Sequence, residues 1–120
     1  GVIFMPGDVF FINENQEKFL AIFLDNKKCL INYKILFIGT NNASIAHPRE
    51  VFMEAIKANA SAVVVMHNHP SGNVLPSEED KNITEKLIQS GHMLGIPLLD
   101  HIITNGEEYY SFYDEFKTIF

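Results

Sequence analysis

The stretch SAVVVMHNHPSG, residues 61–72, constrains this 120-residue chain more than any other. Its β-branched run at 61–66 reads as a short central strand buried on both faces. Pro70 and Gly72 then force the chain out of the strand into a loop. Two histidines, His67 and His69, fall where the strand gives way to that loop.

The surrounding pattern predicts the partners of this strand. Residues 17–24 (EKFLAIFL) read as a buried strand, 25–28 as a hairpin turn, and 29–38 (CLINYKILFI) as the returning strand. Residues 7–12 are expected to add a short strand. Pro48 and Glu50 mark the first turn of a helix over 48–58, with Val51, Phe52, Ala55 and Ile56 on one face. A second helix is expected from Ser77 to Met93, with Ile83, Leu87 and Leu94 as its apolar seam and Gly91 and Gly95 marking its end. Residues 97–104 return as a strand, Asn105-Gly106 turns the chain, and 109–113 closes a hairpin. Strands, helix, strand, helix, strands is the order of an α/β domain, expected here as a three-layer α-β-α sandwich with a mixed sheet.

Charge and composition exclude several classes. With 47% hydrophobic and 20% charged residues the chain has the profile of a soluble globular domain. Its net charge of -6, with Lys27-Lys28 the only adjacent basic pair, argues against nucleic-acid binding through this domain alone. The single cysteine, Cys29, permits no internal disulfide and is expected as a small core residue in a reducing cytosol. No apolar run is long enough for a membrane span, and no secretory signal is read at the N-terminus.

His67 and His69 at i and i+2 can turn toward one centre once the strand breaks. Asp80, three residues past Ser77, can face back across the loop from the next helix. Two imidazoles and one carboxylate are the ligand set of a catalytic zinc with a fourth position open, whereas a structural zinc would recruit thiolates. Ser77-x-x-Asp80 is also a helix-capping pattern, and the two readings are compatible. His101 lies on an apolar strand and is expected in the core or behind a ligand. His47 is expected beside a helix N-cap, and His92 as a solvated helix-end residue. Arg49 and Asp100 are candidates to brace the site.

The spacing H-x-H-x7-S-x2-D, written here as HNHPSGNVLPSEED, resembles the JAMM motif of the JAB/MPN metalloprotease superfamily. HPREVF at 47–52, the HNHPSG loop and LGIPLLDHII at 94–103 resemble the bacterial RadC family more closely. The resemblance covers roughly residues 15–113 and implies a fold like that of the cytidine deaminases. It implies zinc on His67, His69 and Asp80, and a catalytic glutamate on an early strand. The matching position is Glu17, with Glu14 as the alternative. It further implies hydrolysis of a peptide or isopeptide bond in a protein or peptide substrate, with Ser77 donating to the oxyanion. RadC proteins usually carry a helix-hairpin-helix module before this domain. None is read here, so a single domain over residues 1–120 is expected. The competing readings are a non-catalytic interaction module and an accessory domain in DNA repair. Zinc deamination of nucleobases is disfavoured, because the P-C-x-x-C half-site it needs is absent.

Overall fold

A computed structural model of the chain describes residues 16–39 and 47–120. The strand expected at residues 7–12 and the alternative base Glu14 lie outside the described residues. The described elements are β1 (Glu17–Leu24), β2 (Leu30–Gly39), α1 (Pro48–Lys57), β3 (Ala62–His67), α2 (Glu78–Leu94), β4 (Leu98–Thr104), β5 (Tyr109–Ser111) and a helical turn α3 (Phe112–Glu115). The strands form one sheet in the order β2-β1-β3-β4-β5. Among the described strands only the β3–β4 pair is parallel, and α2 makes the crossover that a parallel pair requires. The architecture is α/β on a mixed sheet, as the element order predicts.

The sequence of β3 explains its place. Every residue from Ala62 to His67 is buried, which only an interior strand covered on both faces allows. Phe19, Ala21 and Phe23 of β1 join Val63 and Val65 of β3 in one cluster with Val51, Phe52 and Ala55 of α1 and Ile83, Leu87 and Ile88 of α2. Both long helices therefore cover the same face. The opposite face buries Leu20, Ile22, Leu24, Val64 and Met66, and its described packing partners are strand residues such as Tyr33 and Ile102. Leu87 is fully buried in the helix-side cluster, so Leu87→Ala should cost about 2–5 kcal/mol.

Register decides which side chains meet. Phe19 pairs with His67 and Ala21 with Val65 across the antiparallel β1–β3 ladder. Residues opposite one another share a face and alternate along the strand. Glu17, two residues before Phe19, therefore lies on the helix side of the sheet with His67. Val65 pairs with His101 of β4, which brings that histidine to the same side.

Several local expectations are corrected. Ile56 and Leu94 are exposed, because α1 and α2 each turn a narrower stripe to the sheet than the apolar spacing suggests. Gly91 lies inside α2, where its missing Cβ lets the chain return closely: an added Cβ would meet the Ile96 carbonyl at 2.6 Å. The helix ends instead at Gly95, in the left-handed conformation that glycine adopts without strain. The hairpin strand stops at Ser111 because its hydroxyl accepts from the Asp114 amide and caps α3. Cys29 is exposed, since it sits in the β1–β2 turn, where its amide donates to Asp25. Among the described residues no helix is long and apolar enough to cross a membrane.

Candidate metal centre

The last residue of β3, His67, is fully buried beneath the start of α2. The chain then breaks at Pro70, and Gly72 adopts a positive φ of 82°. This bend carries His69 back toward the strand end. The His69 Nδ1 lies 2.7 Å from the carbonyl oxygen of Asn73, which can only accept, so Nδ1 carries the proton. In the neutral ring Nε2 is then a bare lone pair. Asn105 donates to the Gly72 carbonyl at 3.0 Å and ties the loop to the β4–β5 turn.

Asp80 reaches the same point from the first turn of α2. Its backbone amide donates to Ser77 Oγ at 3.1 Å, and its Oδ2 accepts from the Ser77 amide at 2.9 Å. This reciprocal pair is the capping box implied by Ser77-x-x-Asp80, and the helix N-terminus favours the carboxylate it holds. The cap therefore orients Asp80 rather than competing with a site.

One ligand atom from each of His67, His69 and Asp80 lies within 4.8 Å of the others. His67 Nε2 is 3.3 Å from His69 Nε2, and His69 Nε2 is 2.9 Å from Asp80 Oδ2. Asp80 Oδ1 lies 3.1 Å from His67 Nε2 but makes no hydrogen bond, although it is buried. A buried carboxylate oxygen without a donor is costly, and a cation among these atoms would satisfy it. Burial alone would raise the Asp80 carboxyl, but the two imidazoles and the Ser77 amide hold it far below the ordinary range. His69 is shifted upward because its protonated ring can donate from Nε2 to Asp80 Oδ2, with burial opposing. Three groups of this chemistry can hold a metal ion.

Glu17 is buried on the same side of the sheet. Burial raises its carboxyl, while His67 and His69 draw it back down and Asp80 pushes it up. It stands within electrostatic reach of all three groups. Its backbone is held by Asn68, a residue the sequence reading passed over. The Asn68 side chain accepts from the Lys18 amide at 2.7 Å and donates to the Gln16 carbonyl at 2.9 Å, bracketing Glu17. Asn68 follows the last residue of β3, and its partners lie 50 and 52 residues away in the chain, so no local signal marks it.

The other candidates separate cleanly. His101 sits behind His67 and not among the convergent atoms, with its Nε2 2.8 Å from His67 Nδ1. Thr84, one helical turn after Asp80, contacts the other ring nitrogen of His101 at 2.6 Å and was not foreseen. Asp100 accepts from Ser111 Oγ and the Tyr113 amide, so it braces β4 against α3 instead of the site. His47, Arg49 and His92 are exposed.

The model of the RadC-like JAB domain family matches residues 8–117. The chain belongs to this family. A UPF0758 protein of Protochlamydia amoebophila is 47% identical over 103 residues, covering 86% of this chain and 45% of that protein. A UPF0758 protein of Geobacillus thermodenitrificans is 47% identical over 111 residues, covering 92% of this chain and 48% of the relative. One from Staphylococcus carnosus is 50% identical over 96 residues, or 80% and 42% of the two chains. The chain thus spans less than half the length of these relatives. The JAB resemblance read from HNHPSG and its flanks is borne out, and the residues of that motif are the ones that converge.

Proposed function

We propose that this domain is a zinc-dependent amide hydrolase acting on a peptide or isopeptide bond. The observation that carries the reading is the convergence of His67, His69 and Asp80 within 4.8 Å, beside a buried Glu17 on the same face. Two imidazoles and a carboxylate without a thiolate suit zinc in an open catalytic site. When bound, zinc supplies a Lewis acid that polarises a carbonyl and acidifies water toward a pKa of about 7.

The chain's own groups supply the remainder. Glu17 Oε takes a proton from water and returns it to the leaving amine, a task suited to a carboxyl raised by burial. Ser77 Oγ accepts from the Asp80 amide and keeps its own proton to donate to the developing oxyanion. The single cysteine is exposed and suits a reducing cytosol. The competing reading, a non-catalytic interaction module, leaves the convergent ligand atoms without a purpose.

The test is zinc reconstitution followed by assay on short peptides and on a lysine-linked isopeptide. Wild-type protein should hydrolyse at least one class, while Glu17→Gln keeps its zinc and loses activity. Equal turnover by both proteins would refute the role of Glu17. A zinc-loaded wild type inert on both substrates would favour the interaction module.

A further inference from the structure

We propose that Thr84 and His101 are positioning residues that lock His67 in the tautomer whose Nε2 lone pair faces the metal position, through hydrogen bonds that begin and end on ligand residues. The inference rests on the reading of His67 and Asp80 as metal ligands.

The proton positions follow from what each atom can do. Thr84 Oγ1 lies 2.7 Å from the backbone carbonyl of Asp80, which only accepts, so the hydroxyl donates there. Its one proton is then committed. The 2.6 Å contact between Thr84 Oγ1 and His101 Nδ1 must be donated by the ring, so His101 carries a proton on Nδ1.

His101 is fully buried. Its ring stacks on Phe112, with centroids 4.9 Å apart, and meets the edge of Phe19 at 6.0 Å. Its two nitrogens face Thr84 and His67, and neither faces a carboxylate. With the ring fully buried and no carboxylate at either nitrogen, an imidazolium is disfavoured there, so the ring is neutral and Nε2 is a lone pair. The 2.8 Å approach of His67 Nδ1 is a hydrogen bond only if His67 supplies the proton. A neutral His67 with its proton on Nδ1 presents a bare Nε2 to Asp80 and His69.

The chain of bonds therefore runs from one ligand residue to the other. It leaves the Asp80 main chain, passes through Thr84 and His101, and ends on His67, whose bare Nε2 faces Asp80 Oδ1 at 3.1 Å without a hydrogen bond. It joins α2, β4 and β3, so the two ligands cannot shift independently. Metal-binding histidines are commonly oriented by an acceptor on their second nitrogen, and loss of it typically costs about 10–100-fold in affinity. Here that acceptor is an imidazole, itself oriented by a threonine four residues past a ligand.

The test uses two readouts on the intact protein. In metal-free wild type, nitrogen-15 imidazole spectra should show His101 neutral with its proton on Nδ1, and a proton on Nε2 would overturn the proposal. In chelator competition, Thr84→Val should weaken zinc binding about 10–100-fold, with Thr84→Ser retaining wild-type affinity. Wild-type affinity in a folded Thr84→Val would also overturn it. Should Thr84→Val fail to fold, the wild-type tautomer still decides. A wild type that shows the Nδ1 tautomer yet binds no zinc would support the lock on His67 and refute the metal reading alone.

Discussion

Phe19 sits opposite His67 across the β1–β3 ladder, with its ring stacked on the imidazole at a centroid distance of 5.7 Å and an interplanar angle of 20°. That pairing fixes the register of β1 against the strand carrying the first candidate ligand. Because side chains alternate, it also fixes the face on which Glu17 appears. A slip of one residue would send Glu17 to the opposite face.

Glu17→Gln should raise the melting temperature of the metal-free protein at pH 7. Burial lifts the folded-state carboxyl above its ordinary value, so the fold favours the protonated form. That contribution is fully present below the unfolded value of about 4.3 and is lost as pH rises through the folded value. At neutral pH the buried charge is a cost that glutamine removes. The advantage should vanish below about pH 4. Thermal melts across this range check it, and a variant that melts lower at pH 7 would contradict the sign.

His69→Ala should lose the metal and keep the fold. The His69 side chain is 18% exposed on a loop, so little core is lost. His67→Ala should also lose the metal but cost on the order of 2–5 kcal/mol, because it empties a buried position against Phe19. Elemental analysis after zinc reconstitution, with urea unfolding, separates the two outcomes.

Asn68→Ala should destabilise by about 1–3 kcal/mol, since a buried amide bridges two strands' ends through two hydrogen bonds. Hydrogen exchange at the Lys18 amide should accelerate while zinc stoichiometry stays unchanged. If Asn68 positions Glu17, activity should fall further than the folded fraction does. Unchanged exchange at Lys18 would show that the bracket does not hold β1.

Ser77→Ala should cost about 0.5–2 kcal/mol as a lost N-cap. If Ser77 also donates to the oxyanion, turnover should drop by roughly two to three decades under conditions where the variant is fully folded. A loss of activity that merely follows unfolding would leave Ser77 as a cap alone.

Gly91→Ala should lower stability, although alanine in a helix interior is ordinarily better by about 1 kcal/mol. The added Cβ would sit 2.6 Å from the Ile96 carbonyl and 3.1 Å from the Leu98 amide, both backbone atoms that cannot turn aside. Overpacking of this kind typically costs about 1–3 kcal/mol. A rise in melting temperature would show that the return into β4 is free to move.

The sequence by itself determined the strand at 61–66, the helices flanking it and the three groups that converge, because each signal is local. A β-branched run, a Pro-Gly break and an S-x-x-D cap need no distant partner to be read. The same locality misled where burial depends on what lies opposite: Cys29, Ile56 and Leu94 are apolar in text and exposed in the fold. Asn68 bonds across 50 and 52 residues, and His67 meets His101 across 34. Only the tertiary structure decided these, because the register of β1 and β4 against β3 selects which of two faces each side chain occupies. Since that choice alternates with every residue, the packing of the whole sheet sets it, and no local pattern encodes it.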